Sequence, residues 1–321
     1  MAKHNLSEME FVQRSTPTPA PSISGEIGRK RSPDGFKLFL KALYVVSFLA
    51  YGYLVYYGLD YYRTAYRERP RHEQYRTLRP AGDVGHGYGI IGSAMMLFML
   101  LYSVRKRTRL LGRWGSLNRW LDIHIYFGIM GPLLVILHSA FKVNGLIAVS
   151  FWSMIAVALS GVLGRYLYLQ IPRNRLGDVL SLKEARALDK KLTSLLMEEL
   201  HLHEDQLLAL QERIIPPIDP ESSLINLLFH MIMQDLLRPF YLRRLKRVYH
   251  RELGLDGELL KLVVAQTYQK SVLERRIAAL NRVQQLFHYW HVFHKPFAII
   301  MYLIMLVHVG ISIWLGYTWI W

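Results

Sequence analysis

Four histidines stand in two matched pairs inside apolar sequence: His124 and His138 in LDIHIYFGIMGPLLVILHSAFK, and His294 and His308 in WHVFHKPFAIIMYLIMLVHVGISIW. Each pair is separated by 14 residues. On a helix that interval is a rise of about 21 Å with a net rotation of roughly 40°, so both imidazoles of a helix look to nearly the same side at two depths. If the two helices run in the same direction, His124 meets His294 near one end, and His138 meets His308 near the other. Facing imidazoles from a helix bundle are metal or cofactor ligands, and ionisable residues at membrane depth are costly enough to mark function. Sites about 21 Å apart cannot share one ion. Iron in haem takes two axial imidazoles without any covalent anchor, so the expected chemistry is two stacked bis-histidine haem b sites, an inner pair and an outer pair. A haem-free alternative is a histidine-lined proton or metal path. A single histidine in a span could also be no more than a helix-to-helix hydrogen bond.

Several neighbours bear on that chemistry. Gly128 and Gly131 lie between the histidines of the first pair and leave room for a flat macrocycle to approach the backbone. In HYWHVFHKP, His288 and His291 share a drifting helical stripe with His294, and His291 is the alternative inner ligand. His86, in GDVGHGYG, is a candidate quinone or substrate site on the outer side, read against a plain interfacial histidine packed by glycines. Arg165 could meet a haem propionate or snorkel to the surface. His201, His203, His230 and His250 fall in polar helical sequence and carry no metal role. No residue is assigned a catalytic part.

The elements that must hold these residues are membrane helices. The 321 residues are 52% hydrophobic, and the apolar residues collect in runs near 36–58, 86–104, 120–141, 146–169 and 294–316, each about the length that crosses a bilayer. The expected fold is all-α, a polytopic bundle of about five spans. The chain divides into a disordered Pro- and Ser-rich tail (1–34), four spans (35–172), an extramembrane helical insertion (173–287) and a fifth span with the carboxyl terminus (288–321). The stretch from Leu224 to Leu242 contains His230, Asp235 and Arg238, so an amphipathic surface helix is preferred there to a sixth span. The chain has no cysteine, which excludes disulfides, thiolate zinc sites, cysteine-ligated iron–sulfur clusters and c-type haem attachment.

A formal charge of +16 in a polytopic chain reflects Lys and Arg flanking the spans and meeting anionic lipid, not nucleic acid. Arg29, Lys30, Arg31, Lys37 and Lys41 precede the first span, and Arg105, Lys106, Arg107, Arg109, Arg113 and Arg119 follow the second, which places the amino terminus in the cytoplasm. The insertion is then cytoplasmic, and the spans carrying the two histidine pairs are parallel. Tyr51, Tyr53, Tyr56, Tyr57, Tyr61 and Tyr62, with Trp314, Trp319 and Trp321, read as interfacial anchors.

The two H-x13-H pairs on separate spans resemble the di-haem transmembrane b-type cytochromes, in particular the ferric reductase-like and cytochrome b561-like domain. The likeness covers roughly residues 86–170 and 288–316. It implies haem ligation by His124, His138, His294 and His308. Ferric reductases of the flavocytochrome type continue into a flavin and NAD(P)H module, and no G-x-G-x-x-G follows a strand here, so electrons are expected from a partner subunit, a quinol or a small redox protein. The function expected is electron transfer across the membrane, in a bacterial inner membrane. The alternatives are a terminal ferric or metal reductase acting at the outer haem, and the haem-free transporter.

Overall fold

The computed structural model describes residues 34–108, 114–172 and 180–317, and among them all regular structure is helical. The tail (1–33), Arg109, Arg113, Trp319 and Trp321 lie outside the described residues. The chain divides into two compact units, Met1–Ala42 and Leu43–Trp321. In the first, the described part opens helix α1 (Gly35–Tyr57), where the Phe36 amide donates to the Asp34 carboxylate at 3.2 Å.

The second unit takes in the rest of α1 and α2 (Leu59–Arg63), α3 (Tyr75–Leu78), α4 (Asp83–Arg107), α5 (Leu117–His138), α6 (Gly145–Gln170), α7 (Leu182–Leu200), α8 (Glu204–Ile214), α9 (Leu224–Leu236), α10 (Arg238–Leu253), α11 (Gly257–Ala278) and α12 (Leu280–Trp314). Five of these regions are long and apolar enough to cross a membrane: α1, the stretch from α3 through α4, α5, α6 and α12. Their exposed residues are large and apolar, among them Leu49, Leu97, Leu159, Ile299 and Leu303, as expected of surfaces that face lipid.

Two pairings position the site. α4 packs along α5, and α6 along α12, while α5 and α12 are not packed along each other. Glycines permit the first pairing: a Cβ at Gly92 would lie 3.0 Å from the Gly131 carbonyl oxygen. Hydrogen bonds tie α12 to both sides, from Ser150 Oγ to the Met301 carbonyl at 3.1 Å and from Tyr302 Oη to the Met96 carbonyl at 2.6 Å. Met96, Met99, Met154, Met301 and Met305 form one buried cluster among these helices.

At one end of the bundle the turn after α5 is held by Arg69, which is buried and donates to the carbonyls of Ala140 (2.5 Å), Tyr62 (2.9 Å) and Thr64 (3.0 Å). The Ala140 carbonyl would otherwise be buried unpaired, at about 1–3 kcal/mol. That carbonyl belongs to a strained turn, since Ala140 and Phe141 both have positive φ, 44° and 61°.

The insertion is helical and has its own core. Leu196, Leu207, Leu245, Tyr249 and Val263 are buried together, and α7 starts with a capping box between Ser181 and Glu184. The stretch from Leu224 to Leu242 does not form a sixth span: α9 has 13 residues and stops at Leu237, ahead of Arg238 and Pro239. The last helix begins earlier than its apolar run, at Leu280. Leu280 and Val283 bury against Leu227 and Met231 of α9, so tertiary packing carries the helix well outside the span.

Candidate cofactor site in the membrane helices

His124 lies in the first half of α5 and His294 near the middle of α12; both line one cavity of about 350 Å³. Among the other residues around it are Gly128, Gly161, Met99, Met154 and Trp290, with Lys106, Arg165 and Tyr168 also in the wall. The volume falls in the range of about 300–1,000 Å³ typical of cofactor sites. Pro132 is in the wall as well, and its missing amide leaves the Gly128 carbonyl without its usual helical partner beside the cavity.

His138 and His308 form the second pair, with ring centroids 6.4 Å apart. With a metal–nitrogen distance of about 2 Å and a ring radius of about 1 Å, two imidazoles sharing one metal lie roughly 6 Å apart centroid to centroid. His86 is also here, 6.3 Å from His138. Because each earlier histidine meets the earlier one of the other helix, α5 and α12 run parallel.

Hydrogen bonds anchor the rings. His138 Nδ1 is 2.9 Å from the Gly85 carbonyl and His124 Nδ1 is 3.2 Å from the Met99 carbonyl. A carbonyl only accepts, so each Nδ1 carries the hydrogen and each neutral ring leaves its Nε2 lone pair open. Ser160 Oγ lies 2.8 Å from His294 Nδ1 and 3.0 Å from the Val157 carbonyl; its one hydroxyl hydrogen can serve either, so this hydrogen bond anchors the His294 ring through Nδ1 and leaves both tautomers open to it. His124 and His138 are thus held in the form that ligates through Nε2, and His294 is anchored through Nδ1, by partners on neighbouring helices, as around metal-bound histidines. Among the described residues no protein group hydrogen-bonds to Nε2 of any of the three.

The other candidates separate. His291 also lines the cavity, with Nδ1 on the Phe287 carbonyl of its own helix at 2.9 Å, so both it and His294 reach the space. His288 is exposed. His86 has the opposite tautomer, its Nε2 donating to the Tyr317 carbonyl at 3.0 Å. Gly128 lies in the cavity wall, whereas Gly131 does not: a Cβ there would sit 3.0 Å from Met96 Cγ, so its small size serves the approach of α4 and not the space for a macrocycle. Three residues of helix turn Gly131 about 60° away from Gly128. Arg165 borders the cavity and pairs with Asp122 at 2.9 Å. His201, His203, His230 and His250 are exposed in the insertion.

Sequence reasoning missed the methionine cluster, Ser160 and Trp290. Methionines dense in MMLFM and recurring at 154, 301 and 305 are a signal for the first. Trp290 Nε1 is buried with no hydrogen-bond partner among the described residues, a donor left beside the cavity. Its ring lies against Gly164, where a Cβ would collide with it.

The residues fit a haem: an apolar space, two anchored imidazoles, an orphan donor and cations in the wall. Among the described residues no three His, Asp or Glu side chains converge to hold a bare metal ion. Comparison of the chain with protein-family models, curated proteins and solved structures finds no match.

Proposed function

We propose that this chain is a membrane-embedded b-type cytochrome that carries electrons across the bilayer. His124 and His294 would hold the inner haem, and His138 and His308 the outer one. Haem, when bound, supplies a one-electron carrier whose potential follows its axial ligands, hydrogen bonding and burial. The observation that supports the reading best is the anchoring of His124, His138 and His294 through Nδ1 by neighbouring helices, with no protein partner on Nε2 of these rings among the described residues. The chain's own residues do the rest. Gly85, Met99 and Ser160 orient the rings, and Trp290 Nε1, Lys106 and Arg165 offer donors and positive charge at the inner space. The buried methionines exclude water among the same helices, filling irregular gaps with a polarizable side chain.

The reading keeps the resemblance to the ferric reductase-like and cytochrome b561-like domain. It includes a cytoplasmic amino terminus in a bacterial inner membrane and a redox partner, either a subunit or a soluble carrier, that docks on the insertion. His86, beside His138, is the candidate quinone or substrate group; if the substrate there is a ferric chelate, the protein is a terminal reductase. Haem content of the purified protein tests the proposal. Two haem b per chain are expected, with His124→Ala and His138→Ala each keeping one. A colourless protein, or complete loss of haem in both variants with the fold retained, would overturn it. Reduction by a quinol analogue, followed by ferric chelate, separates the relay from the terminal reductase.

A further inference from the structure

Helix α9 is apolar on two opposite sides. Leu227, Met231 and Gln234 are buried on one. At 100° per residue, Ile225, Phe229, Ile232 and Leu236 share a stripe about 60° wide on the other. That stripe is open, with Ile225 80%, Phe229 56% and Leu236 64% exposed. The row continues into α10 as Phe240, 55% exposed, and then Arg244, Arg247 and Arg251, all exposed and on the side away from buried Leu245 and Tyr249. The acids nearest in sequence are engaged elsewhere: Asp235 pairs with Arg275 and Glu252 with Arg213.

The position of α9 identifies what covers this row. Its buried side packs on Ile171, Leu280 and Val283, and Asp235 accepts hydrogen bonds from Tyr166 and Gln170, both at 2.9 Å. Those residues close α6 and open α12, two helices long and apolar enough to cross a membrane. α9 therefore lies where α6 leaves the bilayer, beside the part of α12 that runs on beyond its apolar stretch, with an apolar row that runs into a basic one, the composition of a helix lying in the membrane interface. We propose that the α9–α10 row is a surface anchor for anionic lipid. Ile225, Phe229, Ile232, Leu236 and Phe240 enter the acyl boundary, and Arg244, Arg247 and Arg251 meet the lipid phosphates. The proposal rests on the membrane assignment and is independent of the haems.

The chain has no cysteine, so a single spin label can be placed without removing others. Full-length protein with Phe229→Cys or Ile225→Cys, and Lys190→Cys as an exposed control, is labelled and reconstituted into phosphatidylcholine vesicles with or without phosphatidylglycerol. In phosphatidylglycerol vesicles the labels at 225 and 229 are expected to be reached by oxygen and shielded from a water-soluble nickel complex, and the label at 190 the reverse. Replacing Arg244, Arg247 and Arg251 by Gln lowers the ratio of lipid-immersed to water-exposed label about fivefold per arginine. Pure phosphatidylcholine gives the same loss. A label at 229 that stays in water with phosphatidylglycerol present overturns the proposal. So does spin–spin broadening at 229 that vanishes on dilution with unlabelled protein, which would assign the face to a second copy. The visible spectrum of the same samples reports the haems separately, so a colourless sample with an immersed label would refute the cytochrome and leave the anchor standing.

Discussion

His294 Nδ1 shares a hydrogen bond with Ser160 Oγ at 2.8 Å, and Ser160 Oγ also lies 3.0 Å from the Val157 carbonyl, so one hydroxyl on α6 controls how a ring on α12 is anchored. Ser160→Ala removes that control. Loss of an outer-shell partner typically costs about 10–100-fold in affinity. The variant should therefore bind its inner haem that much more weakly, while Ser160→Thr, which keeps the hydroxyl, stays near the parent. Titration of haem into protein stripped of it measures both.

At the other pair the control is steric. A Cβ added at Gly89 would stand 2.6 Å from His138 Nδ1, against the very atom that bonds to the Gly85 carbonyl. Gly89→Ala should displace the imidazole and remove the outer haem alone, so absorbance per chain falls by about half. Retention of both haems would show that the ring is not held where the structure has it.

Asp235 joins the insertion to the membrane helices. It pairs with Arg275 at 2.5 Å and accepts from Tyr166 and Gln170. Arg275 is buried while the Asp235 side chain is 32% exposed, so Asp235→Ala strips a buried charge of its partner and should cost less than the about 3–5 kcal/mol of a fully buried pair. Asp235→Leu together with Arg275→Met should recover most of that. Thermal unfolding in detergent gives the comparison.

Inside the insertion, burial pushes the Asp189 carboxyl above its ordinary range, against the pull of nearby Lys270 and with help from Glu274 and Glu204; its Oδ1 is buried with no hydrogen-bond partner among the described residues. A carboxyl whose folded value is raised stabilises the fold when protonated and loses that contribution as pH rises through the folded value. Asp189→Asn should therefore raise the melting temperature at neutral pH, and the difference from the parent should shrink below the ordinary carboxylate range. Melting curves of the two proteins across pH test the sign.

The sequence carried the spans well because a long apolar run has few folded outcomes. The runs near 120–141 and 146–169 became α5 and α6 within a few residues. It failed at the start of α12, where helix persists below the apolar run because Leu280 and Val283 are buried by α9, a contact no local pattern announces. The histidine spacing could be read in advance because it is a property of one helix. Ser160 could not, since its value comes from facing a residue 134 positions away. Gly131 shows the same limit: smallness was visible in the sequence, but which neighbour uses it depends on the rotation of α5.

Helix α12 runs through 35 residues, about 52 Å, from the insertion past His294 and His308. A torque applied at Val283 by anything that grips the insertion is delivered to His294 first. Along the helix it reaches His308 through Pro296, the joint where the helical ladder lacks a rung. The two ends of the rod are thus geared unequally: bending at that joint would tilt the His294 imidazole relative to that of His308.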